Sequence, residues 1–284
     1  VRTLADDLVH LLATSPDLPT LPETVLDLHG LLRRDDVAAS VITERIRRDP
    51  ALSARILRAA NAAALARAGV SVATVESALA RLGLRRVGSL CLAVETIRAF
   101  VGNGHLDHRA FWEHSFTVAS VAVAIGEAAG VPSSGDLYMA GLLHDVGLLI
   151  LDQRLPDAYA QVVEGVPDGC PRPRWEREVL GMDHGEIAAR MLDRWSMPAL
   201  MVAAVRGHHA PREGESGGAG ALVLRAAEGL IAEYGLALEA ERDWPEDADA
   251  ALRALGLSPE RCEQLRVSLA GVAMESAGLL RATV

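Results

Sequence analysis

Lysine is absent from this sequence. All 28 basic side chains among its 284 residues are arginines, which excludes Schiff-base or lysine-nucleophile chemistry carried by the chain itself. Aromatics make up only 4% of the residues, while alanine and leucine abound. Strand-favouring side chains are therefore scarce and helix formers plentiful, and an all-α fold is expected. Cysteine is rare: Cys91, Cys170 and Cys262 stand far apart, without a CxxC pair. Neither a disulfide framework nor a cysteine zinc knuckle is expected, and a reducing cytoplasm is the expected compartment. No stretch is long and apolar enough to suggest a membrane span. The leading VRTLADDLVHLLATSPD carries aspartates inside its apolar run, a poor pattern for a secretory leader.

The net charge is −10, and no block of arginines offsets it. The field of the whole molecule opposes duplex nucleic acid and anionic lipid. Half of the residues are apolar and 23% charged, a globular balance in a chain long enough for one large or two modest domains.

Helical periodicity runs through most of the chain. Residues 22–34 begin at a proline and put Val25, Leu28, Leu31 and Leu32 on one stripe. Asp49-Pro50 is a helix start, with an N-cap acceptor ahead of a proline. A helix near 74–82 should stop at Gly83, and another follows over 85–100. The polar VGNGHLDH (101–108) reads as a linker between halves. Helices are expected again over 108–129, 135–152, 157–164, 184–195, 198–209 and 219–234, with closing helices near 247–255 and 258–279. PDGCPRPRW (167–175) reads as a proline-rich loop, and PREGESGGAG (211–220) as a flexible one.

Seven of the nine histidines lie between 105 and 209. His114 stands in FWEHS, His144 and Asp145 in LLHDVG, His184 in MDHGE, His208 and His209 in RGHHAP, and Glu228 in RAAEGL. Most sit in apolar helical surroundings, where an imidazole or carboxylate is costly unless paired or metal-bound. Imidazoles suit Fe, Mn or Zn, and a carboxylate can bridge two such ions. His10, His29, His105 and His108 lack this setting and read as structural or solvent-facing. Arg33, Arg34, Arg45, Arg47, Arg48, Arg55 and Arg58 offer an anion-binding face, but acids are interspersed among them and a solvated helix face is expected.

LPTLPETV, RIRRDPALSARILRAAN and VESALARLGLRRVGSLCLA follow one another within residues 19–100. FWEHS, AGLLHDVGLLIL, DHGEIAARMLDRWSMP and VAAVRGHHAP follow within 108–235. This succession resembles HDOD domains, a branch of the HD superfamily of metal-dependent phosphohydrolases. The resemblance implies a multi-helix all-α fold. An N-terminal helical subdomain (1–104) would pack on an HD-like subdomain (105–284) that ends in closing helices. It also implies a metal set of His114, His144, Asp145, His184, His208, His209 and Glu228, the last a glutamate where an aspartate is expected.

Two departures from the active relatives stand out. Leu148 replaces a lysine expected to act on the substrate phosphate, and HHAPREGE replaces a GYP loop. Arg206 and Arg212 are the cations left to bind a phosphate. The cluster can thus be a relic, a metal site without turnover, or a hydrolytic site. No receiver, GGDEF or EAL companion is present. The resemblance then implies a stand-alone bacterial signalling or regulatory module that binds a protein partner in a pathway or a nucleotide ligand, without efficient catalysis. The alternative is a phosphohydrolase or phosphodiesterase using an HD-type di-metal site.

Overall fold

The computed structural model describes residues 4–15, 18–32, 34, 38–65, 72–100, 105–132, 134–209, 218–238 and 247–283. Sixteen helices and no strand occur among them. No helix among the described residues is long and apolar enough to cross a membrane. The chain forms two compact units, Val1–Thr20 with Gly102–Ala273, and Leu21–Val101 with Met274–Val284. The first helix, α1 (Leu4–Thr14), thus belongs to the unit built mainly from the second half of the chain.

The smaller unit contains α2 (Glu23–Leu32), α3 (Ala39–Arg47), α4 (Pro50–Leu65), α5 (Val75–Leu82) and α6 (Leu84–Ala99). Each contributes apolar residues three or four apart, and these become its core. Val25 and Leu28, Ile42 and Ile46, Leu52 and Ile56, and Val87 and Leu90 are all buried. The Asp49 carboxylate accepts from the Ala51 and Leu52 amides at 2.8 and 3.0 Å, which starts α4 behind Pro50. Gly83 ends α5 at φ 84°, a conformation open to glycine. Arg86 and Glu275 form a bidentate pair with both contacts at 2.8 Å.

The larger unit is built on α7 (His108–Ala129), α8 (Ser134–Leu143), α9 (Val146–Arg154), α10 (Pro156–Gly165), α11 (Arg172–Leu180), α12 (His184–Arg194), α13 (Ala199–Arg206), α14 (Gly218–Glu233) and α15 (Ala248–Ala254). The last helix is α16 (Pro259–Thr283). α7 packs against α8 and α14, α12 against α9 and α13, and α13 against α14. These contacts bring α7, α9, α12 and α14 around one centre. Gly141 lets α8 lie close to α7, since a Cβ there would be 2.6 Å from the Ala119 Cα.

Three helices arise where periodicity marks none: α1, α3 and α11. The last begins at Arg172, inside the stretch expected to be a loop. Proline suits the first turn of a helix, where its missing N–H has no intrahelical partner to lose. The single helix expected over 135–152 is instead α8 and α9, broken at His144–Asp145.

Candidate metal centre

The break between α8 and α9 is the key local feature. Asp145 occupies the N-cap position of α9 at φ −98°, ψ 7°, yet its side chain makes no capping bond. Its carboxylate is turned instead into the buried centre of the unit. His114 projects from the second turn of α7, a helix capped by Asp107. His184 is the first residue of α12, placed by Asp183, whose carboxylate accepts from the Glu186 amide at 2.8 Å. His208 and His209 follow Gly207 at the end of α13, and Glu228 lies in α14.

These seven side chains form two groups, within each of which the ligand atoms lie within 4.8 Å of one another. One group is Asp145, His184, His208 and His209; the other is His114, His144 and Glu228. Asp145 touches both. Its Oδ1 is 3.2 Å from His184 Nε2 and 3.6 Å from His208 Nε2. Its Oδ2 is 3.1 Å from His144 Nε2 and 3.7 Å from His114 Nε2. Glu228 Oε1 closes the second group, 2.7 Å from His144 Nε2 and 3.2 Å from His114 Nε2. All but His209 are buried, and His209 is half-buried.

The second nitrogen of each ring decides what the first can do. His144 Nδ1 donates to the Gly141 carbonyl at 2.8 Å, and His208 Nδ1 to the Val205 carbonyl at 2.6 Å. His184 Nδ1 donates to Glu176 at 2.6 Å. A neutral ring with its proton on Nδ1 presents a bare lone pair at Nε2. Here those lone pairs face carboxylate oxygens, or, for His184 and His209, another imidazole nitrogen at 2.5 Å. His144 Nε2, His208 Nε2, both Asp145 oxygens and Glu228 Oε1 are buried without hydrogen-bond geometry, despite their close approach. Acceptors converging on acceptors repel unless a cation stands between them. A proton or a metal ion meets that need. Nitrogen and oxygen donors, with a carboxylate spanning two groups, suit a divalent transition metal.

The titration behaviour follows the same logic. Burial works against the His144 imidazolium, but Asp145 and Glu228 outweigh it and hold its pKa well above the ordinary value. His184 is likewise raised, burial being overcome by Glu176 and Asp145. Burial and the neighbouring His208 and His184 push His209 well below it. Burial favours neutral Asp145 and Glu228, yet the imidazoles around them keep both carboxylates ionised.

The remaining residues singled out from the sequence lie elsewhere. Arg206 Nε is bound to Glu186 at 2.7 Å, and its side chain is 40% exposed. Arg212 lies outside the described residues. Leu148 is fully buried. Glu176, which composition and spacing do not mark, stands directly behind His184. Its four-residue spacing from Arg172 is no signal by itself, because the exposed Arg174–Glu178 pair repeats that spacing in the same helix.

Gly147 allows α9 to pass against the start of α12, because a Cβ there would collide with the His184 carbonyl. Gly147→Ala is expected to lower stability by about 1–3 kcal/mol or more, as overpacking against backbone does. It should also displace His184. Chemical denaturation followed by circular dichroism would measure the loss, and a value within error of zero would show that α12 has room to shift.

The pattern of the HDOD domain matches residues 18–211. A protein of Treponema pallidum (strain Nichols), named only as uncharacterised, is 26% identical over 197 residues. The match covers 68% of this chain but 38% of that protein, so the chain spans well under half of the relative's length. Among solved structures, an HDOD domain protein of unknown function from Geobacter sulfurreducens shares the fold. Its TM-score is 0.79 at 24% identity, over 98% of this chain and 97% of that one. A protein of Shewanella amazonensis SB2B named as a candidate phosphohydrolase is 25% identical, with a TM-score of 0.75 over 99% of both chains. A candidate signal transduction protein of Marinobacter aquaeolei VT8 is 27% identical, with a TM-score of 0.75 over 99% of this chain and 62% of that one.

Proposed function

The chain belongs to the HDOD domain family, and from that premise we propose that it is a bacterial signalling or regulatory module acting by binding a protein or small ligand. Its histidine–aspartate centre would hold divalent metal as part of the fold, without efficient turnover. The observation that carries this reading is the burial of the centre together with the fully buried Leu148 where active relatives would need a cation. Transfer of a phosphoryl or phosphodiester group needs positive charge where negative charge develops. The buried Arg172 is engaged by Glu176, and Arg206 by Glu186. The likeness to the Marinobacter aquaeolei protein supports a signalling role.

His114, His144 and Glu228 would hold one ion, and His184, His208 and His209 the other, with one Asp145 oxygen toward each. Such a pair of ions, when bound, supplies Lewis acidity and an activated water. The chain's own residues present the nitrogen lone pairs, fix the rings through backbone carbonyls and exclude bulk water. The runner-up reading, a metal-dependent phosphohydrolase, is favoured by the two-sided placement of Asp145 and by the name of the Shewanella amazonensis relative.

One experiment separates the two. Chain purified without chelator or a metal-binding tag is expected to carry about one or two equivalents of Fe, Mn or Zn by mass spectrometry, lost in His144→Ala. The loaded chain should leave a generic phosphodiester at the background rate. Hydrolysis that requires both metal and Asp145 would establish the phosphohydrolase instead. A folded chain without metal, and not stabilised by adding it, would remove the metal centre from both readings.

A further inference from the structure

Behind the seven candidate ligands lies a second buried layer, and it is not symmetric. His144, His208 and His114 direct Nδ1 at the backbone carbonyls of Gly141, Val205 and Leu236, at 2.8, 2.6 and 3.4 Å. His184 alone of these four rings directs it at a carboxylate. Glu176 is wholly buried, and both of its oxygens are engaged. Oε2 accepts from His184 Nδ1 at 2.6 Å and from the His184 amide at 2.8 Å. Oε1 accepts from Arg172 Nε at 3.0 Å. Arg172, itself 5% exposed, lies with its guanidinium carbon 5.7 Å from the centre of the Tyr159 ring.

Burying an arginine and a glutamate this deeply carries a large desolvation cost, which pairing and further hydrogen bonds must offset. The packing of the fold alone does not call for it, since an apolar pair of similar volume would fill the same space. What the pair adds is a fixed negative charge on the far side of one imidazole. A carboxylate there sets the tautomer, aims the ring and makes Nε2 a stronger donor than a carbonyl partner does.

We propose that Glu176, held by Arg172, is a positioning residue that makes the subsite of Asp145, His184, His208 and His209 the tighter of two unequal metal subsites. Each subsite takes one Asp145 oxygen beside three further side chains, so the number of ligands does not distinguish them; the carboxylate-backed ring does, and it belongs to the His184 subsite. The first divalent ion taken up therefore goes there. The inference rests on the metal-centre reading above, and it concerns which subsite fills first and which residue sets that order.

The test is a titration of the chelator-stripped full chain with Co2+ alone, followed by visible absorption and calorimetry. Wild type is expected to take up Co2+ in two unequal steps. Glu176→Gln should weaken the tighter step by about 10–100-fold and alter its absorption, leaving the weaker step in place. Glu228→Gln should weaken the other step. Arg172→Gln keeps the carboxylate but loses its cation, and should weaken the tighter step by less. Circular dichroism on each variant checks folding. If Glu176→Gln does not fold, the Arg172→Gln titration decides, and an unchanged tighter step overturns the inference. Equal weakening of both steps by Glu176→Gln, or none, overturns it as well. Two Co2+ bound by wild type with Glu176→Gln indistinguishable removes this inference only. No Co2+ bound by wild type removes the metal centre itself.

Discussion

Asp145→Asn is expected to abolish the stabilisation of this chain by added metal. The carboxylate reaches the His184 group with one oxygen and the His144 group with the other. An amide of the same shape keeps one acceptor but aims an N–H donor at the remaining group, where a cation should sit. It also breaks the link between the groups, since of the seven side chains Asp145 faces both. With Zn2+ at 100 times the dissociation constant, wild type should gain about 2.7 kcal/mol. For a chain of this size that raises the melting temperature by roughly 4–5 °C. Asp145→Asn should gain nothing measurable in the same thermal scan. Equal stabilisation of both proteins would mean that Zn2+ binds elsewhere.

The second large effect is on pH. His144 and His184 are held above their ordinary pKa of 6.5, because protons occupy positions between imidazole and carboxylate that a metal would otherwise fill. Their contribution to the metal-free fold is complete below the unfolded pKa and is lost as pH rises through the raised, folded value. Metal must displace those protons. Apparent affinity should therefore climb as pH rises from about 6.5, by about tenfold per unit for each proton displaced. His209, held low, is already neutral and releases none. Asp145 and Glu228 work in the opposite direction. Their stabilisation is present above the unfolded carboxylate pKa and is lost only on strong acidification. The metal-free chain should thus lose stability toward alkaline pH while the metal-loaded chain does not. Competition with a chelator of known affinity, between about pH 6.5 and 8.5, measures the slope. A flat line would show that no ring proton is displaced.

Much of this was legible before any coordinates. Amphipathic stripes such as Val25–Leu28 and Leu52–Ile56 announce their helices because burial of one face needs that spacing. Asp49-Pro50 and Gly83 mark ends for equally local reasons. The ligand candidates stand out because imidazoles and carboxylates are costly in apolar helices. Elsewhere local pattern misleads. The α11 run RPRWEREVL is charged and begins among prolines, so it resembles a solvated loop, although Arg172 and Glu176 are buried in it. The run AGLLHDVGLLIL is apolar on both sides of His144–Asp145, so periodicity cannot register the two-residue break there.

Composition and spacing by themselves determined the helical class, the absence of lysine chemistry and the ordered phrases that place the chain among HDOD domains. These depend on propensity and on residues close in sequence. Only the tertiary structure decided that α1 joins the larger unit, that α8 and α9 part at Asp145, and that one carboxylate faces two groups of imidazoles. It alone showed Glu176 behind His184. Those features depend on which buried polar atoms meet across helices distant in sequence, and no local preference encodes that meeting.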